Sequence, residues 1–384
     1  MIRKSLFLAL ILTAFSLTVF AQQQQQVASV LHDRHLIKSQ ILGEDRTVLV
    51  RVPANYAQQT GEKFPVVYML DAHPPQNSMM VGIIEQQVWG GMMPEVILVG
   101  IQNTNRTRDL TPTKTERAGS GGGDKFLQFL ETEVIPLVEK NYRVQPFRIF
   151  AGHSLGGLTV VYSFLTRPDL FNAYIAASPS LIWDNNYVIN RAEDVFKQKK
   201  EYKKTMFLAL GNEPELQKGF NSFRDLLNRT KLKDFEYEFR QLDEENHGSV
   251  VLPAYYWGLR KIFAGWTPPQ AGSVEDLENH YKKLSARFGY TIQIPEELLN
   301  RVGYQFLRAN QTTEAIEVFR KNAGLYPNSA NVYDSLAEAY EKSGQMKPAR
   351  ENYEKAYKMA EAKGEAQLAK TAKENYDRIS NKMK

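Results

Sequence analysis

Cysteine is absent from all 384 residues. That absence excludes disulfide staples, thiolate metal sites, a cysteine nucleophile and the lipidated cysteine that tethers many exported bacterial proteins. Long apolar runs are missing too, apart from residues 6–20, which follow Arg3 and Lys4 and are short for a membrane span. Val19-Phe20-Ala21 supplies small residues at the usual cleavage positions, and the polar tract of residues 22–26 follows directly. Residues 1–21 therefore read as a signal peptide cut after Ala21, and the expectation is a bacterial periplasmic or secreted protein without a membrane span once cut. Charge of one sign is also lacking. The formal net charge is +5, and removing Arg3 and Lys4 leaves +3, with acidic and basic residues interspersed. The densest basic run, Lys197-Gln198-Lys199-Lys200 with Lys203 and Lys204, reads as a solvated helix end. No basic motif interleaved with aromatics appears, so nucleic acid is excluded as a partner.

Against those absences, the mature chain alternates two kinds of period. Thr47-Val48-Leu49-Val50-Arg51-Val52, Phe64-Pro65-Val66-Val67-Tyr68-Met69-Leu70, Val96-Ile97-Leu98-Val99-Gly100-Ile101 and Arg148-Ile149-Phe150-Ala151 are short apolar runs of strand type. Ala173-Tyr174-Ile175-Ala176-Ala177 and Met206-Phe207-Leu208-Ala209-Leu210 follow, and Phe235-Glu236-Tyr237-Glu238-Phe239 alternates strictly, as a half-exposed strand near a sheet edge does. Residues 125–138 carry apolar positions at helical spacing between the third and fourth runs. Strands alternating with helices predict an α/β fold: a mostly parallel central sheet with helices on both faces.

Composition changes near Trp266. We expect the α/β domain over 27–266, a linker over 267–295 and a small all-α domain over 296–384. In that last part Leu299 and Tyr333, Phe306 and Tyr340, Ala315 and Ala349, and Phe319 and Tyr353 are each 34 apart. The period and residue types match tetratricopeptide repeats, with residues 366–384 as a capping helix. Two repeats are too few to stand alone, so they are expected to dock on the preceding domain, pair between protomers or engage a protein partner.

The chemistry centres on Gly152-His153-Ser154-Leu155-Gly156, which lies between a strand-like run and the helical run of residues 157–165. A serine on a sharp strand-to-helix turn is a nucleophile elbow, the turn of α/β-hydrolases. A serine hydroxyl needs a base, and the base needs an acid to fix its tautomer. In the chain order serine, acid, histidine, only His247 fits among six histidines: His32, His35 and His73 come too early, His153 is inside the elbow, and His280 lies past the linker. The acid should follow the strand ending at Leu210, where Glu213 is favoured and Glu215 is the alternative. The oxyanion of a tetrahedral intermediate calls for backbone N–H donors, expected at Leu155 and in the loop around Ala72 and His73, where His73 would act through its backbone and its imidazole would only wall the pocket.

These landmarks resemble the Putative esterase branch of α/β-hydrolases, which includes esterase D, feruloyl esterases, enterobactin- and salmochelin-type siderophore esterases and mycolyltransferases. The resemblance is carried by Ile41-Leu42-Gly43-Glu44-Asp45-Arg46, Tyr68-Met69-Leu70-Asp71-Ala72, Arg108-Asp109-Leu110-Thr111-Pro112, Gly152-His153-Ser154-Leu155-Gly156-Gly157, Ser178-Pro179-Ser180 and His247-Gly248-Ser249. It spans roughly residues 30–265 and implies Ser154 as nucleophile, His247 as base and the His73 amide as second oxyanion donor. Gly211-Asn212-Glu213-Pro214 resembles the siderophore esterases' Gly-x-x-Glu-Pro, one residue shorter. Ala72 stands where the family has glycine.

The expected activity is hydrolysis of a small-molecule or carbohydrate-linked carboxylic ester through an acyl-enzyme, without cofactor or metal. Acyl transfer on the same triad is the alternative enzyme reading, and a scaffold acting through its repeats is the non-enzymatic one. Trp183 is a candidate pocket wall. Gly119-Ser120-Gly121-Gly122-Gly123-Asp124-Lys125 lacks the residues of a phosphate loop and is expected to be a mobile loop near the site mouth. His32 and His35 have no further clustered ligands to make a metal pair.

Overall fold

Strands β1 (Asp33–Ser39), β2 (Glu44–Arg51), β3 (Phe64–Met69), β4 (Ile97–Ile101), β5 (Val144–His153), β6 (Ala173–Ala177), β7 (Glu201–Leu210) and β8 (Lys233–Gln241) make one sheet in the computed structural model. Residues 33–58, 60–268 and 273–384 are described; the signal segment, the cut after Ala21, the glutamine tract and His32 lie outside the described residues. The strand order is β1-β2-β4-β3-β5-β6-β7-β8. The first two strands form an antiparallel hairpin laid antiparallel on β4, and every pairing from β4 across to β8 is parallel. β3, β4 and β6 are buried at every position, which is why their sequences are continuously apolar. β8 is the far edge, in keeping with its alternation.

Period two within the strands divides the core into two layers. Val66, Tyr68, Val99, Phe150, Tyr174 and Leu208 face one layer, whereas Val67, Met69, Leu98, Ile149, Ile175 and Phe207 face the other. Helices α1 (Pro74–Trp89) and α8 (Val251–Ile262) cover the second layer. The first layer is closed over by α3 (Gly123–Phe129), α4 (Ile135–Asn141), α5 (Leu155–Thr166), α6 (Trp183–Gln198) and α7 (Pro214–Thr230), following the single turn α2 (Arg106–Asp109). The helix expected over 125–138 is broken by a π-type turn at Leu130–Val134. It ends where Pro136, which has no N–H to donate, enters α4.

A buried charge cluster holds the segment after β4 onto β2. Arg46 is fully buried and donates to Asp109 Oδ2 at 2.5 Å and to the Gln102 carbonyl at 3.1 Å. Arg108 bridges Asp109 and Glu44, and the Arg46 guanidinium lies 5.6 and 5.4 Å from the Phe126 and Phe129 ring centroids. Asp109→Ala would remove the buried carboxylate facing Arg46 and leave that fully buried guanidinium with only the part-exposed Glu44 carboxylate, at 3.0 Å, and the Gln102 carbonyl. We expect it to cost about 3 kcal/mol of stability in denaturant unfolding; a loss below about 1 kcal/mol would show that water reaches Arg46. The same cluster pins the glycine-rich run expected to be mobile. Gly122 N–H donates to the Arg108 carbonyl at 2.9 Å, and Gly121 N–H to Thr111 Oγ1 at 2.8 Å.

The stretch read as a linker carries helix α9 (Val274–Phe288), capped by Ser273 accepting from the Asp276 N–H. Leu277, Tyr281, Leu284 and Phe288 recur at helical spacing and are buried in the second core layer, with Phe288 edge-on to Phe147 at 4.9 Å. Helices α10 (Glu296–Arg308), α11 (Thr312–Leu325), α12 (Ala330–Lys342), α13 (Met346–Lys363) and α14 (Ala366–Lys382) follow. Leu298, Leu299 and Val302 extend the same layer, so the helical region is docked on the α/β domain. Ala315 and Ala349, one period apart, are both fully buried.

Candidate active site

Strand β5 ends at His153 and α5 begins at Leu155, so Ser154 alone makes the turn, at φ 59° and ψ −117°. Such backbone is strained for a side chain larger than glycine. Tight packing imposes it: a Cβ on Gly152 would sit 2.5 Å from the Gly156 carbonyl carbon, and one on Gly157 3.0 Å from Pro179 Cα. Ser154 N–H donates to the Ala177 carbonyl at 2.9 Å, and Ser180 N–H to the Ser154 carbonyl at 3.2 Å. The elbow is thereby lashed to the end of β6. Leu155 N–H opens α5, where first-turn amides have no acceptor within the helix.

Four further segments reach this spot because parallel strands end on the same side of the sheet. After β8, His247 stands on a turn fixed by Asn246, whose Oδ1 accepts from Gly248 N–H at 2.9 Å and Ser249 N–H at 3.0 Å. His247 Nε2 lies 3.0 Å from Ser154 Oγ, and its Nδ1 bonds Glu213 Oε2. A carboxylate facing Nδ1 keeps the proton there and leaves Nε2 free to accept from the serine. Glu213 follows β7 and is 3% exposed, while Pro214 starts α7 behind it. Asn212 N–H donates to the Glu245 carbonyl at 2.6 Å, tying the glutamate's loop to the histidine's. Glu215 is exposed, as are Asp243 and Glu244. The structure thus brings Ser154, His247 and Glu213 together and leaves Glu215 out.

After β3, Asp71 has φ 56°. It accepts from Arg106 Nε at 2.6 Å, Arg106 Nη2 at 2.8 Å and Asn103 Nδ2 at 2.5 Å. Arg106 also donates to the His153 carbonyl at 3.1 Å, so this group braces the elbow from the β4 side. His73 is exposed on the same loop, and its N–H donates to the Asp71 carbonyl at 2.9 Å. Trp183 opens α6, donates from Nε1 to Thr113 Oγ1 at 3.0 Å and leads into three left-handed residues, Asp184, Asn185 and Asn186.

Two side chains beside Ser154, His247 and Glu213 escaped the sequence reading of roles. The His153 ring centroid lies 4.5 Å from that of His247. Burial, with the neighbouring His247, pushes His153 down to about 4, so it stays neutral beside the exposed ring. Ser178, fully buried after β6, donates from its hydroxyl to Glu213 Oε1. The sequence marked Ser178 only as part of Ser178-Pro179-Ser180; nothing local says that it meets a residue 35 positions on. Among the described residues no group of three or more histidine, aspartate or glutamate side chains could hold a metal ion.

Comparison with known proteins agrees with this architecture. The family model described as Putative esterase matches residues 39–250. The ferri-bacillibactin esterase BesA of Bacillus subtilis is 28% identical over 242 residues, covering 54% of this chain and 82% of that protein. An IroE-like serine hydrolase from Shewanella oneidensis superposes with a TM-score of 0.69 at 28% identity, over 77% of this chain and all of that one. An uncharacterised protein from Capnocytophaga ochracea, 16% identical, reaches the same TM-score over 91% of this chain and all of its own, which shows the fold alone.

Proposed function

Because the chain belongs to the Putative esterase family, and is thus a carboxylic ester hydrolase, we propose that it is an exported serine esterase using Ser154, His247 and Glu213 as nucleophile, base and acid. The observation that carries the reading is the unbroken contact from Glu213 through His247 to Ser154, with 3.0 Å between imidazole and hydroxyl. Ser154 Oγ attacks the ester carbonyl as His247 Nε2 takes its proton, and Glu213 stabilises the imidazolium. The imidazolium then protonates the departing alcohol, leaving an acyl group on Ser154. Water, deprotonated by the same nitrogen, attacks the acyl carbonyl and frees the acid.

The developing oxyanion is received by the Leu155 N–H at the start of α5. The second donor in this reading is the His73 N–H, shared between the Asp71 carbonyl and the oxyanion while the ester is bound. Trp183, held by Thr113, walls the pocket. The exposed His247 leaves the triad open at the surface, which suits a small-molecule or carbohydrate-linked ester presented from solution. Residues 1–21 supply export. No helix among the described residues is long and apolar enough to cross a membrane. The helical region is read as two tetratricopeptide-like repeats with α14 as cap, joined to the sheet through the core layer that holds residues of α9 and Leu298, Leu299 and Val302 of α10.

Product analysis tests the reading. Purified protein lacking residues 1–21 should convert p-nitrophenyl acetate to acetate and nitrophenol in equal amounts, with an added alcohol acceptor leaving acetate the main product. Ester of the acceptor as main product would make the enzyme an acyltransferase, and no turnover across a broad ester panel would favour the scaffold.

A further inference from the structure

Glu213 occupies an awkward position for a triad acid. It is the residue just before α7, where a short carboxylate such as aspartate turns back onto the free amides of its own helix. Its side chain makes no such cap. It is also one methylene longer than an aspartate, so an additional torsion must be fixed before Oε2 can face the imidazole. Something has to hold it away from its own helix.

We propose that Ser178 is the positioning residue for this acid, its hydroxyl fixing Oε1 of Glu213 so that Oε2 is presented to His247. The inference rests on the triad reading above. Three observations carry it. The Ser178 hydroxyl donates to Glu213 Oε1 while His247 Nδ1 takes Oε2, so both carboxylate oxygens are held. Gly211 N–H lies 3.4 Å from Ser178 Oγ and 3.3 Å from Glu213 Oε1, closing a small buried ring. Ser178 is fully buried at φ 39°, with its N–H donating to the Ala209 carbonyl at 2.7 Å. In that region of backbone glycine is the unstrained residue. A serine there pays its conformational cost for the hydroxyl, and the hydroxyl points at the acid.

This separates positioning from stability in a way few sites allow. Ser178→Gly removes the hydroxyl and relieves the backbone at once. The relieved backbone offsets the lost hydrogen bond to the buried carboxylate, so the melting temperature should change little, KM should stay within about twofold and kcat should fall roughly tenfold or more, as expected for loss of one charge-assisted hydrogen bond. In a Glu213→Gln background the same substitution should change kcat by less than about twofold, because its effect passes through the carboxylate. If Ser178→Gly folds poorly, Ser178→Ala, which keeps the backbone strain and loses only the hydroxyl, reads the same cycle. An undiminished kcat in the single variants, or a loss that persists in full in the Glu213→Gln background, overturns the inference. Unchanged activity of Glu213→Gln on its own would instead overturn the triad assignment, so the two failures are distinct.

Discussion

Ser154→Ala should lower ester turnover by roughly 10^5-fold or more while leaving folding intact. In the proposed mechanism the hydroxyl oxygen forms the acyl-enzyme, and water held in its place has neither its orientation nor its hydrogen bond to His247. Whatever rate remains would come from the Leu155 amide and from substrate binding alone. The fold has no need of the hydroxyl: it contacts only His247 and, at 3.5 Å, Ser180 Oγ among the described residues. Alanine keeps the same strained φ, so thermal unfolding should match the parent. The measurement is turnover of p-nitrophenyl acetate beside a melting curve. A variant that still turns over within tenfold of the parent would remove Ser154 from the chemistry.

Glu213→Gln should cost on the order of 10^3-fold in kcat with little change in KM. The amide is nearly the same size, so the buried ring with Ser178 and Gly211 can persist. Its charge is gone, however, and an NH2 directed at His247 Nδ1 would favour the tautomer that has its proton on Nε2, facing the serine. That tautomer cannot accept the Ser154 proton. The imidazolium formed in the transition state would also lose its counter-charge in a site where Glu213 is 3% exposed. Steady-state kinetics on the purified variant check this. A loss below about tenfold would mean that Ser154 and His247 act as a dyad.

How far the sequence carried depends on whether a feature is local. The elbow was legible because its glycines, strand and helix are contiguous, and their contacts, such as Gly152 against Gly156, span four residues. The parallel sheet was legible because strands covered on both faces must be apolar throughout. His247 followed from chain order and placement after the last strand. Glu213 was favoured over Glu215 but Glu215 stayed open, since which carboxylate is buried depends on where α7 starts and on the approach of residues 245–246. β1 passed unnoticed: Asp33-Arg34-His35-Leu36-Ile37-Lys38-Ser39 is an edge strand with most of its positions exposed, and so lacks a core pattern. The apolar stripe of α9 was present but diluted by the charged residues around it. Ser178 needed its backbone angle and its partner across the sheet, and neither is written in neighbouring residues.

The central claim is that Ser154 is an activated nucleophile, and covalent capture tests it most directly. A fluorophosphonate incubated with the native enzyme should add once per chain, with the adduct mapping by mass spectrometry to Ser154, and His247→Ala should slow the reaction sharply. No adduct, or an adduct on another serine while ester turnover continues, would contradict it.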